Sequence, residues 1–484
     1  MKSVLIVVFD GLQPTQVTHE LMPNLFDWVQ GGVTFSNNHP VFPSVTRINA
    51  ATMVTGSSPG THGLAANNMV FREYDPYSSI PVLQPQLVDI AAKSGDILKA
   101  PTLADILSLE GLEYNAIVSG TSGNAFVHNP HAGRNSGVII HPEFTLPYDL
   151  GHDLAKRFGS WPEEALPNSS RIAHSVTILT DYIFPERNPA VSLLWSSEPD
   201  KSQHAYGVGS SQSNRAIHEA DLEFKNILNY LDCTGLIQDI DLFVLSDHGY
   251  STIREVIPLE RLLRESGFPT GDKPGGITVA PNGGSALFYA YGKDPSVCEQ
   301  LAEWLMVQPW CGSLIKADAV GDIEGVLPAS ICGCEGFRTP DITMSFKWDS
   351  EQNETGYPGF VYSTGGSRGQ GTHGSMSKHE LQNVLYARGP SFKSEFKSDL
   401  PSGNIDLAPT VLHILGLQAE DNMSGRVLHE GLLSGEDLNM TDWETEIHNS
   451  ERVLGDLVYR QQITISKVGK TTYLEQGNNS LGHR

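Results

Sequence analysis

The order of strand-like and helix-like segments predicts an α/β protein with a doubly wound, mostly parallel central sheet and a smaller α+β insertion. Three observations carry that expectation. The runs Ser3-Val4-Leu5-Ile6-Val7-Val8-Phe9 and Asp241-Leu242-Phe243-Val244-Leu245-Ser246 are almost continuously apolar, as strands buried on both faces require. Helix-like stretches separate such runs and supply the crossovers that parallel strands need. Both runs then end on a carboxylate, Asp10 and Asp247, at the edge of the sheet where ligands bind in an α/β fold.

Taken in order, strand 3–9 is followed by a helix near 23–29 and by the Pro-rich loop His39-Pro40-Val41-Phe42-Pro43. A helix is expected from Thr46 to Thr55, stopped by Gly56-Ser57-Ser58-Pro59-Gly60. Helix 102–110, strand 114–119, helix 171–184, strand 190–196, a long helix near 211–231 and strand 241–246 continue the alternation. Segment 121–170, rich in Gly, His, Asn and Pro, reads as a loop excursion. After His248 the pattern changes to helix 258–266, a Gly/Pro-rich stretch, strand 284–290, helix 295–306 and loops to about 338. This stretch reads as a lid-like insertion at 258–340 between two parts of a core, 1–257 and 341–430. Core signals resume at Pro340-Asp341-Ile342-Thr343-Met344-Ser345-Phe346 and end with a helix near 405–415, stopped by Gly416. The polar extension 431–484 is expected to hold a helix at 449–460 and a hairpin at 461–475, and to offer a homo-oligomer contact.

Composition removes several classes of function. A chain of 484 residues can bury a large core. No apolar stretch approaches the roughly 20 residues of a spanning helix. The N-terminal apolar run is too short for a signal segment, so a cytoplasmic protein without a membrane partner is expected. The cysteines Cys233, Cys298, Cys311, Cys332 and Cys334 form an odd, sparse set that suits a reducing compartment. A net charge of −24 without a Lys/Arg patch argues against binding a nucleic-acid duplex. Two divalent cations in a cleft would reverse the field locally, so phosphate chemistry stays open.

Seven residues are of metal-ligating type at element ends: Asp10, Thr46, Asp200, His204, Asp247, His248 and His373. In Asp200-Lys201-Ser202-Gln203-His204, a carboxylate and an imidazole four positions apart share one side of a helix. His373, in Gly371-Thr372-His373-Gly374, would complete a tripod. Asp10, Asp247 and His248 would form a second, leaving a position for the Thr46 oxygen. Imidazoles mixed with carboxylates favour zinc or another first-row divalent ion over magnesium. A bound cation would lower the pKa of the Thr46 hydroxyl, and two cations about 4 Å apart suit an in-line displacement at phosphorus. The plainer reading of Thr46 is a helix cap. Asn67 could supply an amide donor to a phosphoryl oxygen.

Together these residues resemble the alkaline phosphatase superfamily, and most closely its nucleotide pyrophosphatase/phosphodiesterase branch. The matching pieces are Val8-Phe9-Asp10-Gly11-Leu12, Met22-Pro23-Asn24-Leu25, Pro43-Ser44-Val45-Thr46, Val54-Thr55-Gly56-Ser57-Ser58-Pro59-Gly60-Thr61-His62-Gly63, Pro199-Asp200 with His204, Ser246-Asp247-His248-Gly249, and Gly371-Thr372-His373-Gly374. The resemblance implies an alkaline phosphatase-like fold with Asp200, His204 and His373 on one zinc. Asp10, Thr46, Asp247 and His248 would hold the other, and Thr46 would form a covalent phospho-threonine intermediate. An asparagine donor is implied 21 residues beyond the nucleophile, at Asn67.

Departures narrow the choice. Ser44-Val45-Thr46-Arg47 lacks the motif of the sulfatases and phosphonate monoester hydrolases. Threonine-type monoesterases of the superfamily carry a Lys-x-Arg pair after strand 114–119, where this chain reads Ser119-Gly120-Thr121-Ser122-Gly123-Asn124. With no cationic clamp there, a small, singly charged phosphodiester or phosphonate is the expected substrate. A phosphonoacetate hydrolase-like enzyme is the alternative, and a metal-binding module without turnover is a third reading.

Overall fold

The computed structural model describes residues 2–435 and 443–484. Among them, nine strands form the central sheet, in the order 396–403, 33–39, 385–388, 240–245, 3–9, 191–196, 114–118, 138–140 and 145–146. Strand Ser3–Phe9 lies at its centre and pairs in parallel with Val191–Ser196 on one side and Ile240–Leu245 on the other. Strand Leu385–Arg388 enters antiparallel. The fold class is therefore the doubly wound α/β sheet expected, and its physical basis is visible in one strand. Val4, Ile6 and Val8 enter one apolar core, while Leu5, Val7 and Phe9 enter the other. With side chains alternating every residue, only an uninterrupted apolar run can feed both.

Helices cover each face. The long helix Ser211–Thr234 sets Phe224 edge-on against Phe9 and Trp28 on one side. On the other, Thr46–Thr55 and Leu407–Leu415 are buried along almost their whole length. The 102–110 expectation is met by Leu103–Leu109, whose cap Thr102 exchanges hydrogen bonds with Asp105.

Four expectations require correction. Segment 121–170 is not a plain loop: it holds helices Ser122–His128 and Tyr148–Phe158 and short strands at 138–140 and 145–146. Pairing of Val138–Ile140 with Tyr114–Val118 is a tertiary event that local composition does not record. Helix 171–184 is shorter, Ser169–Ile178, and continues as a wider π-type turn to Arg187. The loops expected to about 338 include strand Cys311–Lys316, in a smaller five-stranded sheet with Ile277–Asn282, Ser285–Ala290, Ile342–Phe346 and Leu327–Pro328. Thus Ile342–Phe346, read with the resumed core signals, pairs with Ser285–Ala290 and Cys311–Lys316 instead.

The fourth correction concerns 449–460, which is not helical. Trp443–Leu454, Leu457–Val468 and Thr471–His483 form an antiparallel three-stranded meander. Gly455-Asp456 makes a two-residue turn with Gly455 at φ +63°, so a hairpin signal stood inside the segment read as helix. Among the described residues, no helix is long and apolar enough to cross a membrane.

Candidate metal centre

Each ligand-type side chain reaches the site from the end of an element. Asp10 follows strand Ser3–Phe9, and Asp247-His248 follow the neighbouring strand Ile240–Leu245. Asp200 and His204 stand four residues apart on the short helix Asp200–Tyr206, beyond the end of the other flanking strand, Val191–Ser196. His373 arrives from far along the chain. Ser251 and Thr252 pair antiparallel with Thr372 and Gly371, which sets the His373 ring against Tyr250 and His248. Thr46 opens helix Thr46–Thr55, at the end where backbone N–H groups lack intrahelical acceptors.

Two triads result. Asp200, His204 and His373 offer ligand atoms that all lie within 4.8 Å of one another, and so do Asp10, Asp247 and His248. In the first, Asp200 Oδ1 lies 3.4 Å from His204 Nε2 and 3.5 Å from His373 Nε2. In the second, His248 Nε2 lies 3.1 Å from Asp247 Oδ2 and 3.6 Å from Asp10 Oδ1. The His248 and His373 rings stack with centroids 3.7 Å apart, which joins the triads into one cluster. Thr46 Oγ1 lies 3.3 Å from His248 Nε2. Asn67 stands beside Thr46: its Oδ1 accepts the Arg47 backbone N–H at 2.9 Å, leaving the amide NH₂ to donate elsewhere.

Three features of these residues fit cations. The Nδ1 atoms of His204, His248 and His373 lie 3.0, 3.0 and 2.8 Å from the carbonyl oxygens of Gly371, Gly249 and Ser44. A ring nitrogen facing a carbonyl carries the proton, so each Nε2 turns its lone pair into the cluster. Asp10 Oδ1 and Asp247 Oδ2 are buried without a hydrogen-bond partner among the described residues, a costly state for a carboxylate unless a positive charge meets it. The remaining oxygens are held in place: Trp195 Nε1 donates to Asp10 Oδ2 at 2.9 Å, and the Gly11 N–H donates to Asp247 Oδ1 at 3.0 Å. Tyr250 Oη donates to Asp200 Oδ1 at 2.7 Å.

The electrostatics agree. Burial, reinforced by Asp247 and Asp200, pushes the Asp10 carboxyl well above the ordinary range. Burial would raise Asp200 too, but His204, His373 and His248 together hold it below. Burial and the His248 charge drive His373 well down, toward the neutral form that ligates metal. Burial lowers His248 as well, but Asp247 and Asp200 outweigh it and raise its pKa, so in the absence of an ion they draw to this ring a proton that a cation would displace. The carboxyls of this buried cluster thus repel one another, and divalent ions would relieve that repulsion and take the place of protons.

The structure brings together all seven ligand-type residues singled out in the sequence, with Asn67 alongside. It also shows residues the sequence reading passed over. Trp195 and Tyr250 orient two of the carboxylates, and each lies within two positions of a strand end or of a ligand. Their only local signal is that proximity, because their role depends on partners 185 and 50 residues away in sequence. Arg47, seen in the sequence only as part of a motif mismatch, lies over Asn67 and Thr121. Burial lowers its guanidinium to about 10, against the pull of Asp10 and Asp200, so it stays cationic at neutral pH.

Comparison with known proteins identifies the family. Residues 4–375 match the family model described as type I phosphodiesterase/nucleotide pyrophosphatase. Bis(5'-adenosyl)-triphosphatase ENPP4 of Bos taurus is 22% identical over 428 residues, covering 87% of this chain and 79% of that protein. Human ectonucleotide pyrophosphatase/phosphodiesterase family member 5 is 23% identical over 423 residues, covering 86% of this chain and 75% of its own length. The structure of murine ENPP5, as an inactive threonine-to-alanine variant in complex with AMP, superposes with a TM-score of 0.62 at 20% identity. That superposition covers 87% of this chain and 96% of the murine one, and shows the shared fold. The chain belongs to the type I phosphodiesterase/nucleotide pyrophosphatase family and is a metal-dependent hydrolase of that type, within the alkaline phosphatase superfamily.

Proposed function

We propose that this protein hydrolyses small phosphodiesters of the nucleotide type through a covalent phospho-threonine formed on Thr46. The observation that carries the proposal is the position of Thr46 Oγ1, 3.3 Å from His248 Nε2 at a helix N-terminus, beside two carboxylate–imidazole triads. Asp200, His204 and His373 would hold one zinc ion, and Asp10, Asp247 and His248 would hold the other with Thr46. Imidazole and carboxylate ligands suit zinc, with other first-row ions as substitutes. When bound, such ions supply Lewis acidity and make an alcohol acidic enough to act as a nucleophile.

The chain's own residues do the rest. Thr46 Oγ1 is aimed by the first turn of its helix and attacks phosphorus in line with the leaving oxygen. The Asn67 amide, held by the Arg47 N–H, donates to a non-bridging oxygen as its charge grows. Helix N–H groups around Thr46 favour the same anionic state. A nucleotide-type substrate is supported by the relatives, one named bis(5'-adenosyl)-triphosphatase and one solved with AMP. The family match favours this diester reading over the phosphonate alternative. Five unpaired thiols support residence in a reducing compartment.

The test uses the p-nitrophenyl ester of thymidine 5'-monophosphate. Wild-type protein loaded with zinc should release nitrophenolate, and Thr46→Ala should lose turnover by about 10³-fold or more while retaining both ions. Undiminished turnover in that variant would defeat the covalent route.

A further inference from the structure

No Lys or Arg stands in Ser119-Gly120-Thr121-Ser122-Gly123-Asn124 after strand 114–118, but Arg47 reaches that segment from helix Thr46–Thr55. Every residue of helix Thr46–Thr55 is buried except Arg47. Its side chain leaves the helix one position after Thr46 and reaches the segment that follows strand 114–118. There Nε donates to Thr121 Oγ1 at 3.2 Å, and Nη1 donates to the Asn67 carbonyl at 3.1 Å. These bonds occupy two of the five N–H donors of the planar fork and fix its direction. No carboxylate lies within ion-pair distance of Arg47 among the described residues, although the charges of Asp10 and Asp200 act on it. Asn67 is tied to it twice, through the side-chain oxygen and through the main-chain carbonyl.

We propose that Arg47 binds the outer oxygen of the transferred phosphoryl group, so that the site also accepts and hydrolyses phosphoric monoesters in their dianionic form. The inference rests on Thr46 being the nucleophile. On a phosphorus atom attached to Thr46 Oγ1, the two triads and the Asn67 amide would each take one non-bridging oxygen, which leaves the third substituent for Arg47, held between Asn67 and Thr121. In a diester that substituent carries an organic group and no charge. In a monoester it is an oxygen bearing the second negative charge, for which a guanidinium is a strong partner. The reaction needs water alone: the P–O bond to Thr46 forms as the bond to the leaving oxygen breaks, and the proton lost by the Thr46 hydroxyl passes by way of water to the leaving alkoxide. A second water then splits the phospho-threonine to inorganic phosphate and restores the hydroxyl.

p-Nitrophenyl phosphate and bis(p-nitrophenyl) phosphate test this cleanly, since they share a leaving group and differ in the third substituent. Zinc-loaded wild-type protein should hydrolyse both. Arg47→Met should lower kcat/KM for the monoester by roughly 30–100-fold, as expected for a lost charged hydrogen bond, and change the diester by less than about 3-fold. Arg47→Lys should recover part of the difference, and Thr121→Val, which frees the guanidinium without removing it, should give an intermediate loss. Affinity for inorganic phosphate, read by calorimetry, should fall with the monoester rate in the same order. Equal losses on both substrates, unchanged phosphate affinity in Arg47→Met, or diester turnover without monoester turnover in the wild type would overturn the inference. Failure of the wild type on every ester would instead sink the Thr46 reading, and phosphate calorimetry would still judge Arg47.

Discussion

The Nε2 atoms of His204 and His373 face each other at 3.1 Å, although the residues lie 169 positions apart in the chain. Each ring has its Nδ1 committed to a backbone carbonyl, so the two lone pairs converge on one point next to Asp200 Oδ1. Two like dipoles and a carboxylate hold that arrangement best around a cation.

Metal removal is the first consequence. Exhaustive chelation should abolish ester hydrolysis and lower Tm, with zinc restoring both. An ion that binds only the folded chain at 1,000 times its Kd contributes about 4 kcal/mol of stability. Metal retention should also fall in acid, because imidazoles and carboxylates that gain protons cease to be ligands. Metal analysis paired with thermal melts checks this; full activity in a preparation shown to be metal-free would contradict it.

Trp195 and Tyr250 separate the two triads. Trp195→Phe removes the donor to Asp10 Oδ2, and Tyr250→Phe removes the donor to Asp200 Oδ1. Each should weaken one ion by about 10–100-fold, the usual effect of losing such a supporting hydrogen bond. Competition with a coloured chelator would resolve the two ions. If both variants weakened the same ion, the assignment of carboxylates to separate triads would be wrong.

Gly11 sits at φ +70°, and a Cβ there would lie 2.6 Å from the Tyr250 ring and 3.4 Å from the Asp200 Cβ. Gly11→Ala combines backbone strain of about 1–3 kcal/mol with displacement of Tyr250. We expect both a lower Tm and weaker metal binding. Loss of stability with intact metal affinity would show that Tyr250 moves without consequence.

The C-terminal meander is anchored through Tyr473, whose hydroxyl donates to Asp406 Oδ2 at 2.8 Å and accepts from Arg426 Nε at 3.0 Å. Tyr473→Phe leaves buried partners unpaired and should cost about 1–3 kcal/mol in denaturant melts. Metal content should be unchanged, since Asp406 belongs to neither triad. A neutral melt would show that water replaces the hydroxyl.

Much of the site was legible in the sequence because its ligands occupy element ends, where local signals are strong. Asp10 and Asp247 each close an apolar run, and Asp200 and His204 carry helical spacing. The seven ligand-type residues needed only an order along the chain to be recognised. The extension at 443–483 was harder. Its strands form through pairings such as Ile447 with Thr464 and Ile463 with Gly477, and the Gly455-Asp456 turn was outweighed by the helical look of what surrounds it. The strand Ile342–Phe346 was assigned to the wrong sheet for a related reason, as five apolar-rich residues state that they are buried but not against which neighbours.

By itself, then, the chain's sequence determined the α/β alternation and singled out the ligand-type side chains that gather at the carboxyl edge of the sheet. These follow from periodicity and residue type, which act over a few residues. Tertiary structure alone decided which imidazole meets which carboxylate, that Trp195 and Tyr250 orient them, and that Arg47 reaches Thr121. Those are contacts between segments tens to hundreds of residues apart, selected by packing around a common core, and no local pattern encodes such a distance.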